Sequence, residues 1–258
     1  MTTPRLSLEA CELSLHLGTR AILQPLSCQI AADEFTAIIG PNGAGKSSLL
    51  RCLAGLQVHS GRVLWQGQDV SRMASRERAQ RISWLAQNDG GNALDDLQVQ
   101  DIVMLGRLPH QGLLATARAL DAQAVTQALE AARALPFKNR LFGQLSGGER
   151  QKVLLARALA VQASVLLMDE PLNHLDPPHQ ADWLALARQL ARSGHTVVAV
   201  LHDVNYALRA DSLIIIDGGR LLHHGSTQEP ATHRAIERVF DQRLRIVWCE
   251  ERWLALPL

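Results

Sequence analysis

The sequence has little of what ties a protein to nucleic acid, to a metal cluster or to the interior of a membrane. Its 26 Lys and Arg residues face 25 Asp and Glu, a net charge of +1, so no field of one sign recommends nucleic acid or an acidic membrane surface as the main partner. Lysine is scarce: Lys46, Lys138 and Lys152 are the three, and the remaining positive charge is arginine. The four cysteines, Cys11, Cys28, Cys52 and Cys249, are scattered and form no C-x-x-C pair. That pattern reads as reduced, mostly buried thiols of a cytosolic protein and argues against a disulfide or zinc framework. The most apolar stretch, Val153 to Met168, is interrupted by Arg157 and Gln162, so no membrane span is expected. Met1-Thr2-Thr3-Pro4-Arg5 leads into alternating residues without an apolar signal core, so no export signal is expected either. No internal repeat, low-complexity tract or long Pro/Gly linker divides the chain. What remains is a chain of 258 residues, 47% apolar, enough for one globular domain with a subdomain; any link to a membrane has to run through another protein.

The pattern that is present is α/β. Leu6, Leu8, Ala10, Leu13 and Leu15 alternate with one break, and Ala21–Leu23 and Cys28–Ile30 continue them, which predicts an antiparallel β layer near the start. Phe35–Ile39 is a short apolar run ending at Gly-Pro-Asn-Gly, and Leu49, Leu50, Leu53 and Ala54 behind it are spaced as on a helix. From about Leu97 to Leu135 the texture turns to Ala, Leu, Gln and Arg, which predicts an inserted helical region. Strand-like runs return at Val165–Met168, Thr196–Leu201 and Leu213–Ile216, each behind a helix-like segment, and so predict a parallel sheet. Gly218-Gly219 reads as a hairpin turn.

Gly40-Pro41-Asn42-Gly43-Ala44-Gly45-Lys46-Ser47 fits the phosphate-loop pattern G-x-x-x-x-G-K-[ST] and lies between a predicted strand and a predicted helix. Glycines let backbone N–H groups close around phosphates, the helix N-terminus adds a favourable field, Lys46 neutralises β/γ-phosphate charge, and Ser47, followed by Ser48, can ligate Mg²⁺. In a lysine-poor chain a lysine at that position is the more telling. Val165-Leu166-Leu167-Met168-Asp169-Glu170 reads as a buried strand ending in two acids, with Asp169 a candidate Mg²⁺ holder and Glu170 a candidate general base, a role worth roughly 10²–10⁴ in rate. Taken alone, such acids are equally the solvent end of an ordinary strand. Leu145-Ser146-Gly147-Gly148-Glu149-Arg150-Gln151 opens another helix and offers a hydroxyl and unhindered backbone donors; by spacing alone it is equally a helix N-cap.

LSGGE placed between a phosphate loop and an LLMDE strand resembles the ABC ATPase family, over essentially the whole chain. The resemblance implies one ABC ATPase domain: a phosphate-loop NTPase core with a parallel sheet and an N-terminal antiparallel β subdomain (1–88 and 161–258), and an inserted helical subdomain bearing the signature (89–160). It implies ATP and Mg²⁺ as cofactors and a head-to-tail homodimer, in which each ATP lies between the phosphate loop of one copy and Ser146, Gly147, Gly148 and Glu149 of the other. Two transmembrane permease subunits, and through them a periplasmic or extracellular substrate-binding protein, are the implied partners, with no nucleic acid and a peripheral place on the cytoplasmic face of the membrane. Gln87 resembles the Q-loop glutamine, close to Mg²⁺ beside Ser47 and Asp169. Asn173-His174-Leu175-Asp176 resembles the D-loop, and His202 the switch histidine on the γ-phosphate. One departure is His16-Leu17-Gly18, where the family carries an aromatic residue before the glycine to stack on adenine. Asp101 to His110, with Val103, Gly106, Arg107, Pro109 and His110, resembles a stretch of importer ATPases for metal chelates. The cargo implied is a ferric siderophore or cobalamin, with haem behind; an exporter ATPase or a non-transport ABC ATPase is the alternative.

Overall fold

A computed structural model of the chain describes residues 5–87, 91–111, 119–173 and 175–258. Met1 to Pro4, part of the predicted helical stretch and His174 of the D-loop reading lie outside the described residues. The chain folds as two compact units, one made of Met1–Met73 and Leu190–Leu258, the other of Ala74–Gln189. Along the sequence the elements are β1 (Leu6–Leu17), β2 (Arg20–Ala31), β3 (Phe35–Ile39), α1 (Lys46–Leu53), β4 (Ser60–Trp65), β5 (Gln68–Asp69), α2 (Ser75–Arg81), β6 (Ile82–Leu85), α3 (Val99–Met104), α4 (Ala119–Ala131), α5 (Gly147–Ala160), β7 (Val165–Asp169), α6 (Pro177–Arg192), β8 (Thr196–Val200), α7 (Val204–Ala207), β9 (Ser212–Asp217), β10 (Arg220–Ser226), α8 (Pro230–Val239), β11 (Leu244–Cys249) and β12 (Arg252–Pro257). No helix of the described residues is long and apolar enough to cross a membrane.

In the first unit, β2, β1, β4 and β5 form the antiparallel layer. The break in the alternation of β1 is a bulge: the pairing shifts between Ala10 and Leu13, and Glu12 has φ 49° while its N–H donates to the Ser27 hydroxyl at 2.9 Å. One extra residue returns Leu13 and Leu15 to the buried face that Leu8 and Ala10 occupy. Gly61 of β4 passes so close to this bulge that a Cβ there would meet the Glu12 carbonyl oxygen at 2.3 Å. The second sheet of this unit runs β10-β9-β3-β8, with β3 parallel to both β8 and β9. All residues of β3 and β8 are buried, as expected of parallel strands covered on two faces. Gly218 and Gly219, with φ 51° and 76°, close the β9–β10 hairpin. Cys28 and Cys52 are buried, and burial pushes their thiols up to about 12 and about 11, so both stay protonated and act as packing residues. The C-terminal hairpin β11–β12 is anchored within the unit by Asn205, whose amide accepts from Ala255 N–H at 2.8 Å and donates to Ala255 O at 3.3 Å.

In the second unit β6 runs parallel to β7, and α3, α4 and α5 supply the helical part. The Asp101–His110 stretch is built as a latch. Gly106 lies so near α5 that a Cβ would come within 2.3 Å of the Arg157 carbonyl oxygen. Next to it the buried Arg107 guanidinium donates to the buried Asp121 carboxylate at 2.9 Å, to the Ala160 carbonyl at 2.7 Å and to Gln162 Oε1 at 3.0 Å. The His110 ring meets the Val161 carbonyl at 2.8 Å. Arg107 therefore satisfies the carboxyl end of α5, where carbonyls have no intrahelical partner, and ties it to α4.

Candidate functional site

The buried strand β3 ends at Gly40, which adopts φ 151°; a Cβ there would sit 1.9 Å from the Ile216 carbonyl oxygen. Glycine is thus the residue that lets the chain leave the sheet at this point. The loop turns through Pro41, Asn42, Gly43 and Ala44, the last buried with its N–H on the Pro41 carbonyl at 3.2 Å, and reaches Gly45 in the left-handed region at φ 102° as the N-cap of α1. Lys46 opens the helix, is 6% exposed, and its Nζ donates to Gly40 O and Pro41 O, each at 2.9 Å. The loop is thereby wrapped about an ammonium. Half-buried Ser47 and Ser48 fill the first turn, which contains no acidic residue, so the positive end of the helix dipole is left to an incoming anion. Parallel pairing puts Val200 of β8 beside Ile38, and Leu201 N–H donates to Ile38 O at 3.1 Å. His202, the next residue, therefore emerges at the carboxyl end of the strand beside β3, which is where open α/β sheets bind ligands. It is exposed, and Asp203 behind it caps α7 through Asn205 N–H at 2.7 Å. The first unit so gathers Gly40 to Ser48 and His202.

The second unit gathers the acids. Pairing of Leu85 with Met168 places Gln87 and the Asp169-Glu170 pair at one end of β6 and β7. Asp169 is wholly buried, and Glu170 takes the left-handed region at φ 52°. Gln87 Nε2 donates to Glu170 Oε2 at 2.7 Å, and Asn173 Nδ2 donates to the same oxygen. The Asn173 N–H also donates to the Glu170 carbonyl at 3.2 Å, closing a turn over Pro171. Ser146 caps α5 in a full capping box: its hydroxyl accepts from Glu149 N–H at 3.3 Å, and Glu149 Oε2 accepts from Ser146 N–H at 2.8 Å. The Ser146 N–H holds the Glu149 carboxyl below the usual glutamate range, helped by the Ser146 hydroxyl, Arg140 and Lys152. Ser146 and Gly147 are exposed and Gly148 half-buried, so the signature is both the helix cap that its spacing allowed and an accessible surface of N–H donors. Asp176 is exposed and caps α6, accepting from His179 N–H at 3.3 Å and contacting the His179 ring. Asn173 is read by sequence only as part of the D-loop; its contact with Glu170 belongs to a turn that the three-residue spacing from Glu170 across Pro171 could have signalled.

In the first unit Ser47 offers a hydroxyl oxygen, and in the second Asp169 offers a carboxylate and Gln87 an amide oxygen; each is the hard donor type that Mg²⁺ takes. Among the described residues no group of three His, Cys, Asp or Glu could hold a metal ion.

The ABC transporter family matches residues 23–173. The chain is 40% identical over 250 residues, 96% of its length and 92% of the relative's, to the ferric enterobactin transport ATP-binding protein FepC of Escherichia coli (strain K12). It is 38% identical over 253 residues, 95% of its length and 96% of the relative's, to the hemin import ATP-binding protein HmuV of Pseudomonas fluorescens (strain Pf0-1). Among solved structures, an inward-facing metal-chelate type ABC transporter superposes with a TM-score of 0.82 at 26% identity, covering 98% of each chain. A family match across more than half of the sequence and relatives of nearly equal length leave one conclusion: the chain belongs to the ABC transporter family, as an ATP-binding subunit resembling those of siderophore, haem and cobalamin importers.

Proposed function

We propose that this chain hydrolyses ATP to drive import of a metal chelate, a ferric siderophore or cobalamin and, third, haem, through separate permease subunits. The observation that carries it is the phosphate loop wound around the Lys46 ammonium, in a chain 40% identical over 250 residues to a ferric enterobactin transport ATP-binding protein. In this reading the N–H groups of residues 40–48 and the Lys46 ammonium bind the β/γ-phosphates. Ser47, Gln87 and Asp169 would hold Mg²⁺, which would supply positive charge to neutralise what develops on the phosphates. Glu170 accepts the proton of the attacking water, whose oxygen bonds to the γ-phosphorus as the bond to the β–γ bridging oxygen breaks, giving ADP and phosphate. His202 donates to a γ-phosphate oxygen and stabilises charge as it builds.

Ser146, Gly147, Gly148 and Glu149 complete the site of a second copy, and Asp176 lies between them, so the working unit is a homodimer. Two permease subunits and, through them, a substrate-binding protein outside the cytoplasm make up the transporter, with this chain peripheral on the cytoplasmic face. The helical subdomain is taken as 89–160 and the core with its β subdomain as 1–88 and 161–258. The test is uptake of labelled ferric siderophore, cobalamin and haem in cells carrying the native chain or Lys46→Ala. Loss of one cargo alone in the variant supports the proposal and names the cargo. Unchanged uptake of all three overturns it in favour of export or another chelate.

A further inference from the structure

Glu170 is held in an uncommon way, and one of the side chains on its carboxylate, Asn173, has no assigned task. The residue sits at φ 52°, a conformation that a non-glycine residue keeps only where its surroundings enforce it. The Glu170-Pro171-Leu172-Asn173 turn does so: Asn173 N–H closes on the Glu170 carbonyl, while its side-chain amide returns to Glu170 Oε2. The same oxygen, Glu170 Oε2, is reached by Gln87 Nε2 at 2.7 Å from the segment after β6. Behind the turn, Gln151 of α5 donates to the Pro171 carbonyl at 3.3 Å, so the backbone between Glu170 and Asn173 is itself pinned from the helix that opens with the signature. Of the two amides on Oε2, that of Gln87 is at the end of a longer side chain on a separate segment, whereas Asn173 belongs to the turn that creates the Glu170 conformation.

We infer that Asn173 is the positioning residue of the general base: it fixes the orientation of the Glu170 carboxylate from within the same turn, and catalysis by Glu170 depends on it. This rests on Glu170 being the base. Two neutral amide donors anchor one oxygen of the carboxylate, and a carboxylate acceptor makes each bond stronger than one between neutral groups. A base must be within reach of, and aligned with, the proton it removes, so loss of alignment is read in turnover and not in nucleotide binding.

The test uses the purified full chain at saturating MgATP, with kcat, KM and ATP affinity measured for Asn173→Ala, Asn173→Asp and Asn173→Ser, and with Asn173→Ala repeated in a Glu170→Gln background. Asn173→Asp keeps the size and loses the donor; Asn173→Ser keeps a shorter donor. The expected result is a fall in kcat of about 10- to 100-fold for Ala and Asp, with KM and ATP affinity within about twofold, and partial recovery for Ser. In the Glu170→Gln background the Ala substitution should leave the residual single-turnover rate unchanged, because the group it positions is already gone. Equal kcat in wild type and Asn173→Asp, while Glu170→Gln is inactive, overturns the inference and leaves Glu170 as base. Full activity of Glu170→Gln overturns the reading of Glu170 itself. A fall of the same size on both backgrounds, or one that tracks a lowered melting temperature across the three variants, shows a structural role and also overturns the inference.

Discussion

Replacing Arg107 by methionine isolates the part of the metal-chelate stretch that the structure makes most explicit. The guanidinium and the Asp121 carboxylate are 7% and 6% exposed, and the pair is 2.9 Å apart. The two remaining contacts, to Ala160 O and Gln162 Oε1, are made by the same guanidinium. Methionine fills much of the volume but strips Asp121 of its cation and α5 of its terminal donor. Removing one partner of a buried pair costs about 3–5 kcal/mol, because the other charge stays in a medium that solvates it poorly. For a chain of this size that corresponds to a fall in Tm of roughly 6–20 °C. The assay is thermal and urea unfolding of the full chain followed by far-UV circular dichroism. Arg107→Met combined with Asp121→Leu removes both charges and should recover most of the loss, to within about 1–2 kcal/mol of the native chain. Arg107→Lys should lie between them, since an ammonium keeps the charge but not the fork that reaches Asp121, Ala160 and Gln162 together. A single variant within about 1 kcal/mol of the native protein, or a double variant no more stable than the single, would refute the reasoning.

Three other outcomes follow. Leu17 is 53% exposed at the end of β1, where the family carries an aromatic residue, so Leu17→Tyr should tighten ATP roughly 5- to 10-fold, about 1 kcal/mol from a stacked base, in fluorescence titration, and GTP turnover in the native chain should approach that of ATP. Turnover of GTP far below that of ATP would count against the loss of base selectivity. Glu149 has a lowered pKa in the folded chain, so its capping contribution is present above the ordinary value of 4.5 and is lost as pH falls through the lowered folded value. Glu149→Gln should therefore lower the urea midpoint at pH 7, with the gap to the native chain closing below pH 4.5; a gap that is constant with pH would contradict the capping box.

Much of the fold was legible because its signals are local. The buried runs of β3, β7 and β8, the glycine-rich turn after β3 and the Gly218-Gly219 hairpin are each written in consecutive residues. The broken alternation of β1 was visible too, but its cause, a bulge at Glu12 against Gly61, needs the neighbouring strand. The same limit applies to Arg107. Its motif could be matched, yet the partner that determines its burial, Asp121, lies 14 residues away on α4 and carries no mark in the sequence. In the candidate site the individual residues were readable from the phosphate-loop, LLMDE and LSGGE patterns, whereas the contact of Gln87 with Glu170 arises from β6 lying beside β7, an order that periodicity does not encode.

The most direct measurement on the central claim is the mass of Glu170→Gln in solution with and without ATP, by size-exclusion chromatography with light scattering, alongside its rate of phosphate release. A composite site between two copies, with Glu170 as base, predicts a monomer without nucleotide and a stable ATP-loaded dimer that releases almost no phosphate. An ATP-loaded variant that stays monomeric, or one that hydrolyses at the native rate, would contradict it.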